Sequence, residues 1–157
     1  MKRINWTRRA LIAAVTLTLF MGSAMAGSII NRANEGPAIE GYDTVAYYTK
    51  GQPQKGDAKY STEWNGAKWQ FATEENLQAF KVDPERYAPQ YGGYCSYAMA
   101  NNSFADGDPN RWKVVDGKLY LNANFFAQKL WERDIPEKIK SANTNWPGKK
   151  RELEAKP

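Results

Sequence analysis

The segment YSTEWNGAKWQF, residues 60–71, places Asn65-Gly66 between two short runs that contain aromatic and β-branched residues. Asn-Gly is a strong signal for a β-hairpin, because a type I′ turn needs positive φ at both central positions. The segment therefore predicts two antiparallel strands joined by a tight turn. Asp116-Gly117 repeats the pattern between residues 111–115 and 118–122 and predicts a second antiparallel pair.

A helix is predicted directly after the first hairpin. Thr73 can cap its start, and Glu74 and Glu75 occupy its first turn, where the helix dipole favours negative charge. Leu77 and Phe80 are three residues apart and form its expected buried stripe.

The second hairpin is also followed by helical patterns. Asn124 is expected to cap a helix over residues 125–133, with Phe126 and Leu130 four apart on one face, and Pro136 marks the start of a last helix. Hairpins and helices alternate without long βαβ crossovers. The predicted class is therefore α+β, a small antiparallel sheet built from hairpins with short helices packed on it.

Two further expectations concern the rest of the domain. Residues 39–48 are rich in β-branched and aromatic side chains and predict a strand, and no internal repeat of about 20 to 50 residues is evident. Aromatic side chains at periodic strand and helix positions are expected in the core: Trp64, Trp69, Phe71, Phe80, Trp112 and Phe126.

The net charge of +5 comes from the start of the chain. Four of the 22 basic residues lie within residues 1–26, which contain no acid, so the remaining 18 bases face 17 acids. A nearly neutral remainder lacks the electrostatic signature of a DNA- or RNA-binding protein, and no nucleic-acid partner is expected.

The chain has no histidine and a single cysteine, Cys95. Without histidine it can form neither a Ser-His-Asp or Cys-His catalytic centre nor a histidine-containing zinc site. One cysteine permits no internal disulfide and no Cys-x-x-Cys motif. We therefore expect a binding module rather than an enzyme.

Residues 1–26 have the pattern of an export signal: a basic start that ends at Arg9, an uncharged stretch over 10–21, and Ala24-Met25-Ala26 before Gly27. The uncharged stretch has 12 residues, whereas a membrane span needs about 20, so no stable anchor is expected after cleavage. We predict a periplasmic or secreted protein. A general secretory signal is favoured over a twin-arginine signal.

The chain after the signal is long enough for one folded domain. Residues 27–38 carry few apolar side chains and predict a flexible N-terminal arm, and residues 39–147 form the expected domain. Residues 148–157 are highly charged and follow Trp146-Pro147, so they predict a disordered tail.

The segment FATEENLQAFKVDPERY, residues 71–87, resembles the core of the YHS domain family, which ends in Asp-Pro-x-x-Tyr. Residues 41–46 are similar to the opening of that family. Residues 91–98, YGGYCSYA, resemble an exported branch of it. The resemblance extends over residues 39–147 and implies a YHS-like fold there.

The YHS resemblance also implies a link to heavy-metal handling through cysteine thiolates. At the positions of the three family cysteines this chain has Ala46, Ala72 and Asn76. None of these side chains supplies a thiolate to Cu(I) or Zn(II). These three positions therefore do not transfer the metal-binding function to this chain.

Cys95 is the residue singled out for chemistry, because it is expected in the first turn of a short helix that runs towards Ala100. A helix N-terminus favours a thiolate, so Cys95 is a candidate nucleophile of a thiol-redox protein. The alternative is a small buried apolar residue. Met99 follows four residues later, and the pair could bind copper or another soft metal ion or belong to a core face.

A cleft beside Cys95 is the remaining candidate site, because residues of glycine-containing loops often carry function. The candidate ligand-binding residues surround the Gly92-Gly93 pair and the segment at Asp43: Tyr42, Asp43, Tyr91, Gly92, Gly93, Tyr94 and Tyr97. The partner of this cleft could be a small ligand, a metal ion or a periplasmic protein. A purely structural or interaction domain remains the third alternative.

Overall fold

The computed structural model describes residues 29–32 and 35–156. The predicted export signal, with its cleavage site, lies outside the described residues. The fold class is α+β as predicted, with two small antiparallel sheets and six helices in the described part of the chain. Within that part, no helix is both long enough and apolar enough to cross a membrane.

Both predicted hairpins are present, and each forms a separate two-stranded sheet. Positive φ at Asn65 (48°) and Gly66 (71°) closes the first turn, and Asp116 (49°) and Gly117 (72°) close the second. The strands are β1 (Asp57–Trp64), β2 (Ala67–Phe71), β3 (Asp108–Val115) and β4 (Lys118–Asn122).

The predicted caps begin the two helices that follow the hairpins. Thr73 Oγ1 accepts the N–H of Asn76 at 3.2 Å, and Asn124 Oδ1 accepts the N–H of Ala127 at 2.9 Å. The helices are α1 (Ala46–Thr49), α2 (Glu74–Val82), α3 (Pro84–Tyr87), α4 (Ser96–Ala100), α5 (Phe125–Glu132) and α6 (Ile135–Glu154).

The strand predicted at residues 39–48 is absent. A 3-10 helix, Ala38–Gly41, and the short helix α1 occupy this segment instead. Ile39 and Glu40 have positive φ (50° and 54°), which breaks any extended run. The composition was that of a strand, but the local turn and the hydrogen bonds of Asp43 determine the backbone here.

The described chain consists of two units with the same order of elements. The first unit, residues 38–87, has a 3-10 helix, a short helix, a hairpin and two further helices. The second unit, residues 90–154, begins with the 3-10 helix Gln90–Gly93 and repeats that order, with a longer last helix. Irregular pairing follows Asp57 in β1 and Asp108 in β3 in the same way.

Corresponding turn and cap residues of the two units are 51 positions apart: Asn65 and Asp116, Thr73 and Asn124, Asp83 and Asp134. Before the hairpins the offset is 52, as between Asp43 and Cys95, because the first unit has one additional loop residue. The predicted absence of a repeat concerned periods of about 20 to 50 residues, and this backbone repeat lies just beyond that range. Few side chains are shared, so the repeat is evident only in the backbone.

Strand β4 joins two hydrophobic clusters. Leu119 and Leu121 belong to the first cluster, which includes Trp69, and Tyr120 between them belongs to the second, which includes Trp131. This division follows from the alternation of side chains along a strand. The two units therefore share one strand between their cores.

The expected aromatic core is largely confirmed. Trp69, Phe71 and Phe80 are fully buried, and Trp64 and Trp112 pack against them partly buried. Phe126 was expected in the core, but it is 76% exposed. It lies in the first turn of α5, whose buried aromatic residue is Trp131.

The flexible arm predicted at residues 27–38 and the disordered tail predicted at residues 148–157 are both ordered where the structure describes them, so these two predictions are wrong. Ile30 and Asn31, in the predicted arm, are buried, and the N–H of Asn31 donates to Gly92 O at 2.8 Å. Helix α6 continues through Pro147 to Glu154, and Leu153 is only 5% exposed. Burial of single apolar side chains therefore orders segments whose average composition is polar.

Candidate functional site

The carboxylate of Asp43 is completely buried and accepts four hydrogen bonds. Its Oδ1 accepts the backbone N–H groups of Val45 (2.9 Å) and Ala46 (3.2 Å). Its Oδ2 accepts the N–H of Ala72 (2.8 Å) and the side-chain amide of Asn76 (2.6 Å). These bonds satisfy a group that would otherwise be costly to bury.

The Asp43 cluster brings together the three positions at which the YHS resemblance expects cysteines. Ala46, Ala72 and Asn76 all donate to one carboxylate and supply no thiolate. A soft metal ion prefers sulfur ligands, so this donor set does not fit the metal site that the family implies. The first unit has a site that is closed by its own side chains.

Cys95 occupies the position of Asp43 in the second unit. It precedes α4 as its N-cap, close to the predicted position, and it is 1% exposed. Its Sγ accepts the N–H of Ala98 at 3.4 Å, and its S–H donates to Asn122 Oδ1 at 3.8 Å. The sulfur is therefore held by two weak hydrogen bonds at the start of a helix.

A groove of about 370 Å³ lies directly over Cys95 and is open to solvent. Four of its lining residues, Cys95, Ala98, Ala123 and Ala127, are the counterparts of the Asp43 cluster. Because Ala127 replaces Asn76, the second unit lacks the amide that closes the first site. The groove is lined by Cys95, Tyr97, Ala98, Asn101, Ser103, Ala105, Ala123, Asn124, Ala127 and Leu130.

Asn122 takes over part of the role of the Asp43 carboxylate. It is fully buried, and its Oδ1 accepts the N–H of Tyr97 at 3.1 Å, as Asp43 Oδ1 accepts the N–H of Val45. Within the described residues, the Nδ2 of Asn122 has no hydrogen-bond partner. The polar network below the groove is therefore incomplete, whereas the network of Asp43 is complete.

The predicted metal pair is divided between two environments. Cys95 borders the groove, whereas Met99 is fully buried in the cluster of Tyr91, Tyr120 and Trp131. Among the residues that the structure describes, no group of three or more His, Cys, Asp or Glu side chains could hold a metal ion. These donors do not fit a metal centre of the thiolate kind.

The four candidate tyrosines do not form one cleft. Tyr97 lines the groove with Cys95, whereas the Tyr42 ring lies under Lys55 Nζ at 4.4 Å. Tyr94 makes an edge contact with Phe104, and burial raises the pKa of its hydroxyl, with Asp106 adding to the rise.

Tyr91 and Gly92 instead line a second crevice, of about 220 Å³, with Trp64 and Trp146. The hydroxyl of Tyr91 donates to Asn143 Oδ1 at 2.9 Å, and burial raises the pKa of Tyr91. Two of the predicted ligand residues therefore face a different surface from Cys95.

The Gly92-Gly93 pair is a fixed turn and not a flexible hinge. Both glycines are buried and have positive φ (63° and 85°). A Cβ on Gly92 would collide with the carbonyl oxygen of Ile29, and one on Gly93 with the side chain of Ile39. Glycine is required here because the backbones approach closely.

Sequence reasoning missed the alanines that define the groove, Ala98, Ala123 and Ala127. An alanine carries no chemical signal by itself. The available signal was positional, because Ala123 precedes the helix cap Asn124 as Ala72 precedes Thr73. Only alignment of the two units at their caps and turns makes these residues stand out.

The geometry defines an α+β domain of two similar units, in which the Asp43 cluster is closed and the groove over Cys95 is open. The family model of the YHS domain matches residues 45–91, from the segment before α1 to the first residues of the second unit. Residues 45–91 therefore match a YHS domain, as the motif over residues 71–87 predicted. Comparison with curated proteins and with solved structures finds no match to the chain.

Proposed function

We propose that this protein is an exported, non-enzymatic binding module that takes a small, largely apolar ligand into the groove over Cys95. The observation that carries the proposal is the difference between the units. Asp43 and Asn76 fill the site of the first unit, while small side chains leave the equivalent site of the second unit open. Export is proposed from the pattern of residues 1–26.

The lining of the groove favours an apolar ligand. Ala98, Ala123, Ala127 and Leu130 present methyl groups to it. Its volume of about 370 Å³ lies within the range of ligand sites, roughly 300 to 1,000 Å³. Transfer of an apolar ligand from water to such a surface is favourable.

The surroundings of Cys95 favour binding over nucleophilic catalysis. A nucleophile must reach its substrate, and the 1% exposure of Cys95 opposes such access. The chain also contains no histidine that could act as its base. A small ligand is favoured over a soft metal ion, because Met99 lies in the core and not in the groove.

The proposal is tested by titration of the purified protein with 1-octanol, followed by NMR of protein labelled in its alanine methyl groups. We expect saturable shifts of the methyls of Ala98, Ala123 and Ala127. Ala127→Leu should weaken binding at least about ten-fold, because the larger side chain occupies the groove. Ala58→Leu, on the exposed part of β1, is the matched control and should bind like the unaltered protein.

Two results would contradict the proposal. One is the absence of saturable shifts in the folded, unaltered protein. The other is equal affinity of the Ala127→Leu and Ala58→Leu variants for 1-octanol.

A further inference from the structure

The first unit indicates what its backbone donors bind when the site is filled. Asp43 Oδ1 takes the N–H groups at the start of α1, and its Oδ2 takes the N–H of Ala72, just before α2. The site therefore recognises a carboxylate through two groups of donors, one for each oxygen.

Of the two corresponding donor groups in the second unit, only the N–H groups at the start of the short helix α4 have acceptors within the described residues. The N–H of Tyr97 donates to Asn122, and that of Ala98 donates to Cys95 Sγ. Ala123 is the counterpart of Ala72 and lines the groove. Within the described part of the chain, its N–H makes no hydrogen bond. The place of the second carboxylate oxygen is open to a ligand.

The charges next to Ala72 in the first unit and next to Ala123 in the second unit also differ. Glu74 and Glu75 occupy the first turn of α2, whereas Phe125 and Phe126 occupy the same positions in α5. The second unit therefore lacks the two carboxylates that would repel an anion at this point. The first turn of α5 contains no acidic residue, and the positive end of its dipole is directed to the segment at Ala123.

We infer that the ligand of the groove is a carboxylate with an apolar body, and that one of its oxygens accepts the N–H of Ala123. This inference rests on the proposed function and adds the chemical class of the ligand. The apolar body lies against Ala127 and Leu130, and the carboxylate takes the place that Asp43 Oδ2 has in the first unit. Asn122, the neighbour of Ala123 in the chain, is fully buried, and its Nδ2 has no hydrogen-bond partner within the described residues.

The test compares octanoate with 1-octanol at neutral pH on the purified protein. A charge-assisted hydrogen bond predicts at least about ten-fold tighter binding of octanoate. The backbone amide resonance of Ala123 should shift with octanoate, and that of Ala72 in the closed first unit should not.

A matched pair of variants, Cys95→Asp and Cys95→Asn, tests the carboxylate position directly. The aspartate supplies the chain's own carboxylate at the position of Asp43, so octanoate should bind at least about ten-fold more weakly to it than to the asparagine variant. Both variants should bind 1-octanol equally.

The results of these experiments distinguish a failure of the carboxylate inference from a failure of the proposed function. Equal affinities of the unaltered protein for octanoate and 1-octanol, or an unshifted Ala123 amide, would overturn the inference and leave the proposed function. If neither compound binds, the proposed function fails and the inference fails with it. If the Cys95 variants do not fold, the comparison on the unaltered protein decides.

Discussion

Asp43 and Cys95 occupy the same position in the two units, and each side chain accepts the backbone N–H three residues further along. Ala46 N lies 3.2 Å from Asp43 Oδ1, and Ala98 N lies 3.4 Å from Cys95 Sγ. The carboxylate has a second oxygen that binds Ala72 and Asn76, and the sulfur has no equivalent. This difference and the replacement of Asn76 by Ala127 together accompany the change from a closed site to an open groove.

The closed site should be a main source of stability. Asp43→Asn keeps the shape of the side chain but replaces one carboxylate oxygen by an NH2 group. That group faces N–H donors and cannot accept their hydrogen bonds. We expect a loss of about 2 to 4 kcal/mol in the free energy of unfolding, because buried N–H groups lose their acceptor. Urea unfolding followed by circular dichroism measures this loss.

The control for this variant is Asp57→Asn, on the exposed start of β1. It removes the same charge from the surface and should leave the urea midpoint nearly unchanged. Equal midpoints for the two variants would mean that the four hydrogen bonds of Asp43 contribute little.

Cys95 should be protected in the native state. Because its side chain is 1% exposed, we expect alkylation by iodoacetamide at pH 8 to be at least about a hundred-fold slower than in the urea-unfolded chain. Mass spectrometry of timed samples gives both rates. Rapid labelling of the folded protein would contradict the buried position and favour the thiol-redox alternative.

The end of α6 should stabilise the fold although its composition is charged. Leu153→Ala removes a side chain that is 5% exposed and should cost about 2 kcal/mol or more. Glu154→Ala, on the exposed surface of the same turn, is the control. Equal thermal midpoints for the two variants would indicate that the tail is disordered, as the sequence suggested.

Alkaline pH should destabilise the protein through the buried Tyr47 and the partly buried Tyr48. Burial raises the pKa of Tyr48 to about 12 and raises the pKa of Tyr47 further. A raised pKa in the folded state gives stability that is fully present below the unfolded pKa, about 10, and is lost as pH rises through the folded value. We therefore expect the thermal midpoint to fall steadily from pH 10 upward.

Tyr47→Phe separates this titration from the hydrogen bond that the hydroxyl makes. At pH 7 the variant should lose about 1 kcal/mol, because Pro109 O loses its donor at 2.8 Å. Above pH 10 its thermal midpoint should fall less steeply than that of the unaltered protein. Parallel curves would contradict the role of Tyr47 in alkaline destabilisation.

Short-range signals in the sequence predicted much of the fold. Asn65-Gly66 and Asp116-Gly117 predicted both turns, and Thr73 and Asn124 predicted the starts of α2 and α5, because these features depend on local backbone geometry. The strand expected at residues 39–48 failed, since tertiary hydrogen bonds to Asp43 determine that segment.

The candidate site was predictable only in part. The position of Cys95 at the start of a helix followed from the sequence, but its burial and its partner Asn122 depend on contacts across 27 residues. The groove is open because Ala127 has only a methyl group where Asn76 of the first unit has an amide side chain. This missing amide is recognised only when the second unit is compared with the first.

The most direct test of the central claim is the location of bound 1-octanol by intermolecular NOEs to the alanine methyls. The open second unit predicts NOEs to Ala98 and Ala127, and the closed first unit predicts none to the methyls of Ala46 and Ala72. NOEs to the first-unit residues, or a folded protein that gives no NOE at the groove, would contradict the account.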